Sequence, residues 1–323
     1  MPYIPEALAS QLRKQQYHIV GEHSAVKRCK WLRESILGKR TCYKHTFYGI
    51  DSWRCVQCSP MISCNLACRF CWRISPEDVG LAWDEMSTPN WDSPEILLEG
   101  FLREQKRIVS GYKGNPSVNM ERWKEANKPA HVAISLVGEV TMYPFLSEFI
   151  ELCHSKEMST FVVTNGTLPE RIEELKTLPT QLYMSLEAPD EEAYLKTCRP
   201  KIKGAWERVN RTLEIFPTLK TRKVLRLTLV RGLNMIRPEE YAKLILKAEP
   251  DYVEPKSFVF VGGSRYNRGL ELLDMPSHEE IKEFANNIAK ETNYIVSEER
   301  ADSRVVLLCK DKDAEKNRFI QKK

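Results

Sequence analysis

Three cysteines in one short loop carry the most distinctive chemistry of this sequence. Cys64, Cys68 and Cys71 have the spacing C-x3-C-x2-C. Three thiolates in a compact loop can hold three corners of a cubane iron–sulfur cluster, which leaves the fourth iron without a protein ligand. Because such clusters are normally held by four Cys thiolates, the missing ligand indicates a position where another molecule binds the iron.

A closed zinc site is the alternative for the same loop. Structural zinc takes four protein ligands, and the fourth can come from Cys55 or Cys58, which form a C-x2-C pair upstream. Seven of the ten cysteines lie between residues 29 and 71, and such clustering without a secretory signal indicates metal or redox chemistry rather than disulfides. The scattered thiols are expected to be buried structural residues. They are Cys153, Cys198 and Cys309.

The composition indicates a cytoplasmic chain that does not enter a membrane. Of the 323 residues, 42% are hydrophobic and 29% are charged, as in ordinary globular proteins. No apolar run approaches the roughly 20 residues that a membrane helix needs. The polar, basic N-terminus lacks the apolar core of a signal peptide. We expect a monomer.

Strand-like and helix-like segments alternate from residue 131 onward, after a first strand that should lead into the cysteine loop. This alternation implies parallel strands with right-handed crossovers. We predict six βα units in a full or partial barrel with its chemistry at the carboxyl ends of the strands; a doubly wound open sheet is the alternative. Residues 112–129 are predicted to be an inserted loop, and the C-terminal residues 310–323 a solvated end. The later strands are predicted at 131–137, 160–166, 181–188, 224–232 and 251–263.

The segment CNLACRFCW, which begins at Cys64, resembles the signature of radical S-adenosylmethionine (SAM) enzymes. The resemblance implies an α/β fold, namely a partial (β/α)6 TIM-type barrel with an N-terminal cysteine-rich extension. It implies that the open iron of a 4Fe-4S cluster binds SAM, and that an adenosyl radical then abstracts hydrogen from the substrate. The expected divisions are an extension at 1–56, the barrel at 57–275, and a completing helix and strand at 276–323.

Polar residues at the ends of three predicted strands are candidates for binding SAM. Gly138 and Glu139 resemble the family's glycine–glutamate motif, which supports the methionine amino group. The residues expected to meet the ribose and carboxylate of SAM are Thr164, Asn165, Ser185 and Glu187. The alternative for each is an ordinary strand-end cap or turn residue.

Three further cysteines narrow the resemblance. Cys29, Cys42 and Cys55 are spaced by thirteen and thirteen residues ahead of the first loop. This pattern resembles the tRNA 4-demethylwyosine synthase family, as do LVGEVTMYP, VVTNG and SLEAPDEEAY further on. The resemblance implies that these three thiolates hold a second 4Fe-4S cluster, with Cys55 favoured over its neighbour Cys58.

The resemblance also implies a reaction. Its substrates would be pyruvate and tRNA-Phe carrying N1-methylguanosine next to the anticodon, and its product the tricyclic base 4-demethylwyosine. The adenosyl radical would take hydrogen from the N1-methyl group, and the enzyme would be a carbon–carbon lyase. Pyruvate would be held by the second cluster, by a Schiff base on Lys44, or by both. Lys44 pairing with phosphate or solvent is the alternative.

The positive segment from Lys27 to Lys44 is a candidate contact for the anticodon loop. Interleaved Trp31, Tyr43 and Tyr48 could stack on unpaired bases. Further candidate contacts are Lys113, Arg122, Trp123, Lys128, Arg265 and Arg268. A solvated basic face is the alternative.

The family's fused, flavodoxin-like electron donor has no counterpart here, so we expect an external flavodoxin or ferredoxin. Two rival functions remain open at this stage. One is another radical SAM enzyme with an auxiliary cluster, such as a peptide maturase, and the other is a zinc-containing RNA-binding protein.

Overall fold

One sheet of ten strands runs through the whole chain. The computed structural model describes residues 3–82, 90–266 and 268–320. The strand order is β1-β2-β3-β4-β5-β6-β7-β8-β10-β9. The strands are β1 Tyr17–Val20, β2 Ser24–Lys27, β3 Cys55–Ser59, β4 His131–Ile134, β5 Ser159–Thr164, β6 Gln181–Ser185, β7 Arg222–Leu229, β8 Tyr252–Ser257, β9 Ile295–Arg300 and β10 Val305–Cys309.

The six central strands, β3 to β8, are parallel neighbours in chain order. Their order never reverses, so the doubly wound alternative is wrong and the predicted partial (β/α)6 barrel is confirmed. The helices are α1 Glu6–Lys14, α2 Lys30–Ile36, α3 Tyr43–Tyr48, α4 Pro94–Ser110, α5 Met120–Ala126, α6 Leu146–Ser155, α7 Pro169–Glu173, α8 Glu191–Cys198, α9 Ala205–Ile215, α10 Pro238–Ala248, α11 His278–Thr292 and α12 Lys312–Lys316.

Antiparallel strands extend both edges of this parallel core. The hairpin of β1 and β2 pairs with β3, and β10 with β9 pairs with β8. All three segments expected from the sequence, 1–56, 57–275 and 276–323, therefore contribute to one sheet. The division between them stays a prediction.

Local sequence explains why the main elements form where they do. All four residues of β4 are buried, as expected for a parallel strand covered on both faces. Ser93 caps α4 by accepting a hydrogen bond from the Ile96 amide, and Pro94 occupies the first turn. Ser277 and Glu280 form the predicted capping box of α11.

The short helix α3 closes the end of the barrel at which the strands begin. Tyr43, Phe47 and Tyr48 pack against side chains of the inner strand faces and are buried. These partners, all near the amino ends of their strands, are Phe161, Tyr183, Val224 and Tyr252. The N-terminal extension therefore inserts side chains of α3 into the barrel interior at the end where the strands begin.

Two predictions about irregular segments are wrong. Residues 112–129 are not wholly a loop, because α5 lies inside them and packs against α2, where the Asn119 amide donates to the Ile36 carbonyl at 2.8 Å. The C-terminal stretch is not a free end as far as residue 320. It contains α12, and the Ile320 amide donates to the Tyr48 carbonyl at 3.0 Å. Among the described residues, no helix combines the length and apolarity needed to cross a membrane.

Candidate active site

The C-x3-C-x2-C loop follows the carboxyl end of β3 and is held by backbone contacts. The buried Arg268 guanidinium donates to the carbonyls of Cys71 at 2.8 Å and Cys68 at 3.3 Å. Arg199 donates to the Ala67 carbonyl at 2.9 Å. These hydrogen bonds hold the loop through its backbone carbonyls and do not use its thiols.

The thiols of this loop are within electrostatic reach of one another. Burial, and then its neighbour Cys68, raise the pKa of Cys64. Within the described ranges, no three His, Cys, Asp or Glu side chains form a group suited to one metal ion. Structural zinc needs four ligands around one ion, whereas a cubane cluster takes each thiolate on a separate iron. Three thiols in one short loop match the three protein ligands of a cluster whose fourth iron is left open.

A cavity of about 260 Å³ adjoins the cysteine loop at the carboxyl ends of the strands. Its lining includes the three cysteines of the loop and every residue predicted to bind SAM. Those residues are Cys64, Cys68, Cys71, Gly138, Glu139, Thr164, Asn165, Ser185 and Glu187. The cavity lies where the catalytic sites of parallel barrels normally lie.

Gly138 allows β4 to approach the cysteine loop closely. Its φ is +76°, and a Cβ there would lie 2.3 Å from the Met61 carbonyl oxygen and 2.6 Å from that of Ser63. The next amide, that of Glu139, donates to the Ser63 carbonyl at 2.8 Å. A glycine is therefore required here both for its conformation and for space.

Glu139 is buried, and hydrogen bonds fix its carboxylate. Oε1 accepts from the hydroxyls of Thr141 at 2.6 Å and Thr164 at 2.7 Å, and Oε2 accepts from the Asn165 amide at 2.7 Å. Burial raises the pKa of Glu139, and these hydrogen bonds oppose that shift. The carboxylate is thus held in one orientation at the cavity wall, as binding of an ammonium group requires.

Asn165 connects the cavity to the cysteine loop. Its side-chain amide donates to the Asn65 Oδ1 at 2.8 Å and contacts the Cys64 Sγ at 3.8 Å. Hydrogen bonds to ligand sulfurs tune the potential of iron–sulfur clusters. The structure therefore places Asn165 against a predicted cluster ligand as well as at the cavity.

Glu187 lies on the next strand end with a partner that sequence reasoning missed. Its carboxylate accepts hydrogen bonds from the Thr228 amide at 2.7 Å and hydroxyl at 3.0 Å. Burial raises the pKa of Glu187 to about 7. Thr228 also lines the cavity, and its only sequence signal was a polar residue in the apolar strand VLRLTLV.

Cys198 is predicted to be a structural thiol in the core, but it lies at the cavity beside the cysteine loop. It lines the cavity, and its thiol is within hydrogen-bonding distance of the Cys68 thiol. That contact, and then burial, raise the pKa of Cys68. Cys153 and Cys309 are buried core residues, as expected. The sequence offered no signal that distinguished Cys198 from these two.

The upstream cysteines meet at the other end of the barrel interior. Cys29 precedes α2, Cys42 precedes α3, and Cys55 begins β3. Burial, and then Cys29, raise the pKa of Cys42 to about 11 and that of Cys55 to about 12, which shows that the three thiols are within electrostatic reach. Cys58 lies in the hydrophobic core, three residues along β3 and therefore on its opposite face. This geometry favours Cys55 over Cys58.

Lys44 lies beside this second group of thiols. Its Nζ is 4.3 Å from the centre of the Tyr183 ring and 5.0 Å from that of Phe161. Burial, and then Arg226, lower the pKa of Lys44. A neutral amine, which a nucleophile must be, is therefore easier to reach here than at a surface lysine.

Several candidate RNA contacts are not available on the surface. Tyr43 and Tyr48 are buried and donate their hydroxyl hydrogens to Glu254, so the prediction that they stack on bases is wrong. Arg268 is also buried, against the cysteine loop. The exposed cations of the Lys27–Lys44 segment are Lys30, Arg33, Lys39 and Arg40.

Comparison with known proteins agrees with this geometry. The model of the radical SAM superfamily matches residues 58–245, and that for wyosine base formation matches residues 247–310. An S-adenosyl-L-methionine-dependent tRNA 4-demethylwyosine synthase of Pyrococcus abyssi is 48% identical over 96% of this chain and 90% of its own length. The enzyme of that name from Methanocaldococcus jannaschii is 42% identical, over 94% and 96%. A solved structure of TYW1 with a lysine–pyruvate adduct bound has a TM-score of 0.86 and 40% identity, and the match covers 99% of each chain.

The chain belongs to the tRNA 4-demethylwyosine synthase family. Membership of this family and of the radical SAM superfamily implies SAM and a 4Fe-4S cluster as cofactors. The cysteine loop and the adjoining cavity fit that pair. The two rival functions, a peptide maturase and a zinc-containing RNA-binding protein, are not those of the tRNA 4-demethylwyosine synthase family.

Proposed function

We propose that this protein condenses N1-methylguanosine, next to the anticodon of tRNA-Phe, with pyruvate to form 4-demethylwyosine. The observation that carries the proposal is the shared cavity, in which three cysteines of the loop meet six strand-end residues predicted to bind SAM. The relatives named for this reaction span nearly the whole chain. We assign the enzyme to the carbon–carbon lyases, because the carboxyl carbon of pyruvate is lost.

The residues of the cavity bind and orient SAM. Cys64, Cys68 and Cys71 hold the first cluster, and the fixed carboxylate of Glu139 accepts hydrogen bonds from the methionine ammonium group. When bound, the cluster and SAM would supply a radical that takes a hydrogen atom from the substrate. The side chains at the ends of β5 and β6 contact the ribose and carboxylate of SAM. They are Thr164, Asn165, Ser185 and Glu187.

Cys29, Cys42 and Cys55 hold a second 4Fe-4S cluster. Their mutual electrostatic contacts support this role, as does the position of Cys58 on the opposite face of β3. These three thiols lie at the start of α2, α3 and β3, and they would supply three of the four ligands that such a cluster needs.

Lys44 binds pyruvate as a Schiff base. Its neutral amine attacks the keto carbon, and loss of water leaves a carbon–nitrogen double bond. The lowered pKa of Lys44 supports this role, as does the lysine–pyruvate adduct in the similar TYW1 structure. Direct binding of pyruvate to the second cluster is compatible with this arrangement.

The tRNA is bound by exposed cations close to Cys29. Lys30 and Arg33 lie on α2, and Lys39 and Arg40 follow it. α5 packs against α2, and the exposed Lys124 on α5 and Lys128 after it are further candidate contacts. The enzyme acts as a cytoplasmic monomer and takes electrons from a separate flavodoxin or ferredoxin.

Isotope labelling tests the reaction. The anaerobically reconstituted protein is incubated with reductant, SAM, tRNA carrying N1-methylguanosine, and pyruvate labelled at all three carbons. We expect a new nucleoside with two labelled carbons after digestion, and no label when only the carboxyl carbon is labelled. Cleavage of SAM without any new nucleoside would contradict the proposed function.

A further inference from the structure

The barrel interior around Lys44 has more positive than negative side chains. Arg226 acts electrostatically on both Lys44 and Lys256, and so does the carboxylate of Glu254. A second carboxylate, Asp302, acts on Lys256. Arg226 already pairs with Glu254, through Nε at 3.0 Å and Nη2 at 2.8 Å. Tyr43 and Tyr48 also donate to Glu254, so its capacity to compensate the two lysines is largely used.

No carboxylate pairs directly with Lys256 within the part of the chain that the structure describes. Its Nζ donates to the backbone carbonyl of Ser303. Glu254 and Asp302 act on this amine electrostatically, but neither lies within 4.0 Å of its Nζ. A half-buried cation without a direct counter-ion is costly, and a bound anion would compensate it.

Lys256 lies between the cavity beside the cysteine loop and the upstream thiols. In the register of β7 and β8, Lys256 pairs with Thr228. This pair lies two residues further along the strands than the Arg226–Glu254 pair, on the same face of the sheet. Together with Thr228 and Ser185, Lys256 lines the cavity beside the cysteine loop. It also interacts electrostatically with Cys42, the residue two before Lys44. A ligand attached to Lys44 and directed upward would thus pass this amine.

The chemistry of the ligand follows from this charge balance. A 2-oxo acid attached to Lys44 through its keto carbon keeps its carboxylate, which takes no part in forming the carbon–nitrogen double bond. Two residues would divide recognition between them, because Lys44 reacts with the carbonyl and a second cation binds the negative group. A cation at hydrogen-bonding distance also orients a carboxylate more strongly than neutral donors do.

We propose that Lys256 binds the carboxylate of the 2-oxo acid that Lys44 holds. This assignment rests on the proposed function of Lys44 and adds a substrate-positioning residue to it. It gives the site a preference for 2-oxo acids over neutral ketones and aldehydes. Burial, and then Arg226, lower the pKa of Lys256, and a bound carboxylate would favour the protonated amine.

Reductive trapping separates carboxylate binding from other roles of Lys256. The reconstituted protein is treated with cyanoborohydride and either pyruvate or its neutral amide, pyruvamide, and the adduct is located by mass spectrometry. For Lys256→Gln, we expect the pyruvate concentration that gives half-maximal trapping at Lys44 to rise at least about tenfold. Trapping of pyruvamide should be unchanged. Lys256→Arg, which keeps the charge, should restore most of the pyruvate trapping.

Three outcomes would overturn the assignment. Equal losses for pyruvate and pyruvamide would show that Lys256 acts on Lys44 or on folding, and iron content with SAM affinity would report the folding effect. No loss for either ligand would show that the carboxylate binds elsewhere, for example on the second cluster. An adduct on Lys256 itself would make it the nucleophile. If wild-type protein gives no adduct at Lys44, the proposed function of Lys44 fails first, which the Lys256 variants cannot mimic.

Discussion

At the scale of single residues, the site depends on buried charged groups that the chain itself orients. Glu139 receives four hydrogen bonds, from two threonine hydroxyls and two backbone amides. Lys44 lies over two aromatic rings beside the upstream thiols. Burial favours the neutral form of each group. A cationic ligand would therefore stabilise the Glu139 carboxylate, and the neutral amine of Lys44 is suited to attack a carbonyl.

Replacing Glu139 tests its role in binding SAM. We expect Glu139→Gln to weaken SAM binding at least about tenfold, because a hydrogen bond to a charged group contributes about 1.5–3 kcal/mol. Equilibrium binding at matched iron content measures the effect. Glu151→Gln, an exposed change of the same kind on α6, is the control. Unchanged affinity in Glu139→Gln would rule out the predicted ammonium contact.

The pH dependence of trapping at Lys44 tests its environment. Burial and Arg226 lower the pKa of Lys44, so its nucleophilic neutral form becomes populated at a lower pH than in an ordinary lysine. The exposed Lys243 is an internal control, because its hydrogen bond to Glu240 raises its pKa. Cyanoborohydride trapping of pyruvate, quantified for both peptides over a pH series, should level off earlier for Lys44. Coincident pH profiles would contradict the lowered pKa.

At the scale of elements, the cysteine loop is positioned by the ends of neighbouring strands and helices. The turn after β4 meets the segment before Cys64, and the end of α8 places Cys198 against Cys68. Arg268, from the segment after β8, binds the loop carbonyls. Elements from three parts of the chain thus position the thiols. A local change in any of them should therefore lower the iron content of the protein.

Two glycines with similar backbones test this coupling. Gly138 has φ of +76° and little space, whereas Gly232 has φ of +71° and a Cβ added there would meet only open space. Substitution by alanine should destabilise the fold by about 1–2 kcal/mol at Gly232, where only the backbone conformation is strained, and by more at Gly138. We expect a loss of iron in Gly138→Ala alone, because its Cβ displaces residues 61–63. Urea unfolding and iron analysis measure the two effects, and equal iron content would argue against a packing role for Gly138.

Elements differ in how far their own sequence determines them. The parallel strands were predictable, because each is a buried apolar run next to a helical pattern, as in TFVVTNG. The hairpin strands β1 and β2 have four residues each, and α3 has six. Segments so short carry little periodicity, and tertiary packing stabilises them. The extension was therefore predicted as a carrier of cysteines but not as part of the sheet.

The candidate site shows the same division between local and long-range information. The cysteine spacing and the Gly138–Glu139 motif are contiguous and were readable directly. Thr228 and Lys256 enter the cavity through strand register, which places residues far apart in sequence side by side. Tyr43 resembled an RNA contact in a basic segment, but it is buried beneath the barrel. No pattern of neighbouring residues in the sequence shows that Thr228 and Lys256 line the cavity or that Tyr43 is buried.

At the scale of the whole molecule, one barrel contains the two groups of thiols, and exposed cations lie on and after α2, close to the upstream group. The salt dependence of tRNA binding tests the role of these cations. We expect replacement of Lys30 and Lys39 together by glutamine to reduce the slope of log affinity against log salt by about 1.5. Lys243 and Lys290, exposed on α10 and α11, give the matched control pair. Equal slopes in the two double variants would contradict the assignment of these cations.

The proposed independence of the two groups of thiols, as separate centres in one barrel, is tested most directly by counting iron and sulfide. The count is made in anaerobically reconstituted wild-type protein and in two triple alanine variants. One variant lacks Cys64, Cys68 and Cys71, and the other lacks the upstream set: Cys29, Cys42 and Cys55. The claim predicts about eight irons in wild type and about four in each variant. About four irons in wild type, with the upstream variant unchanged and the other almost free of iron, would contradict it.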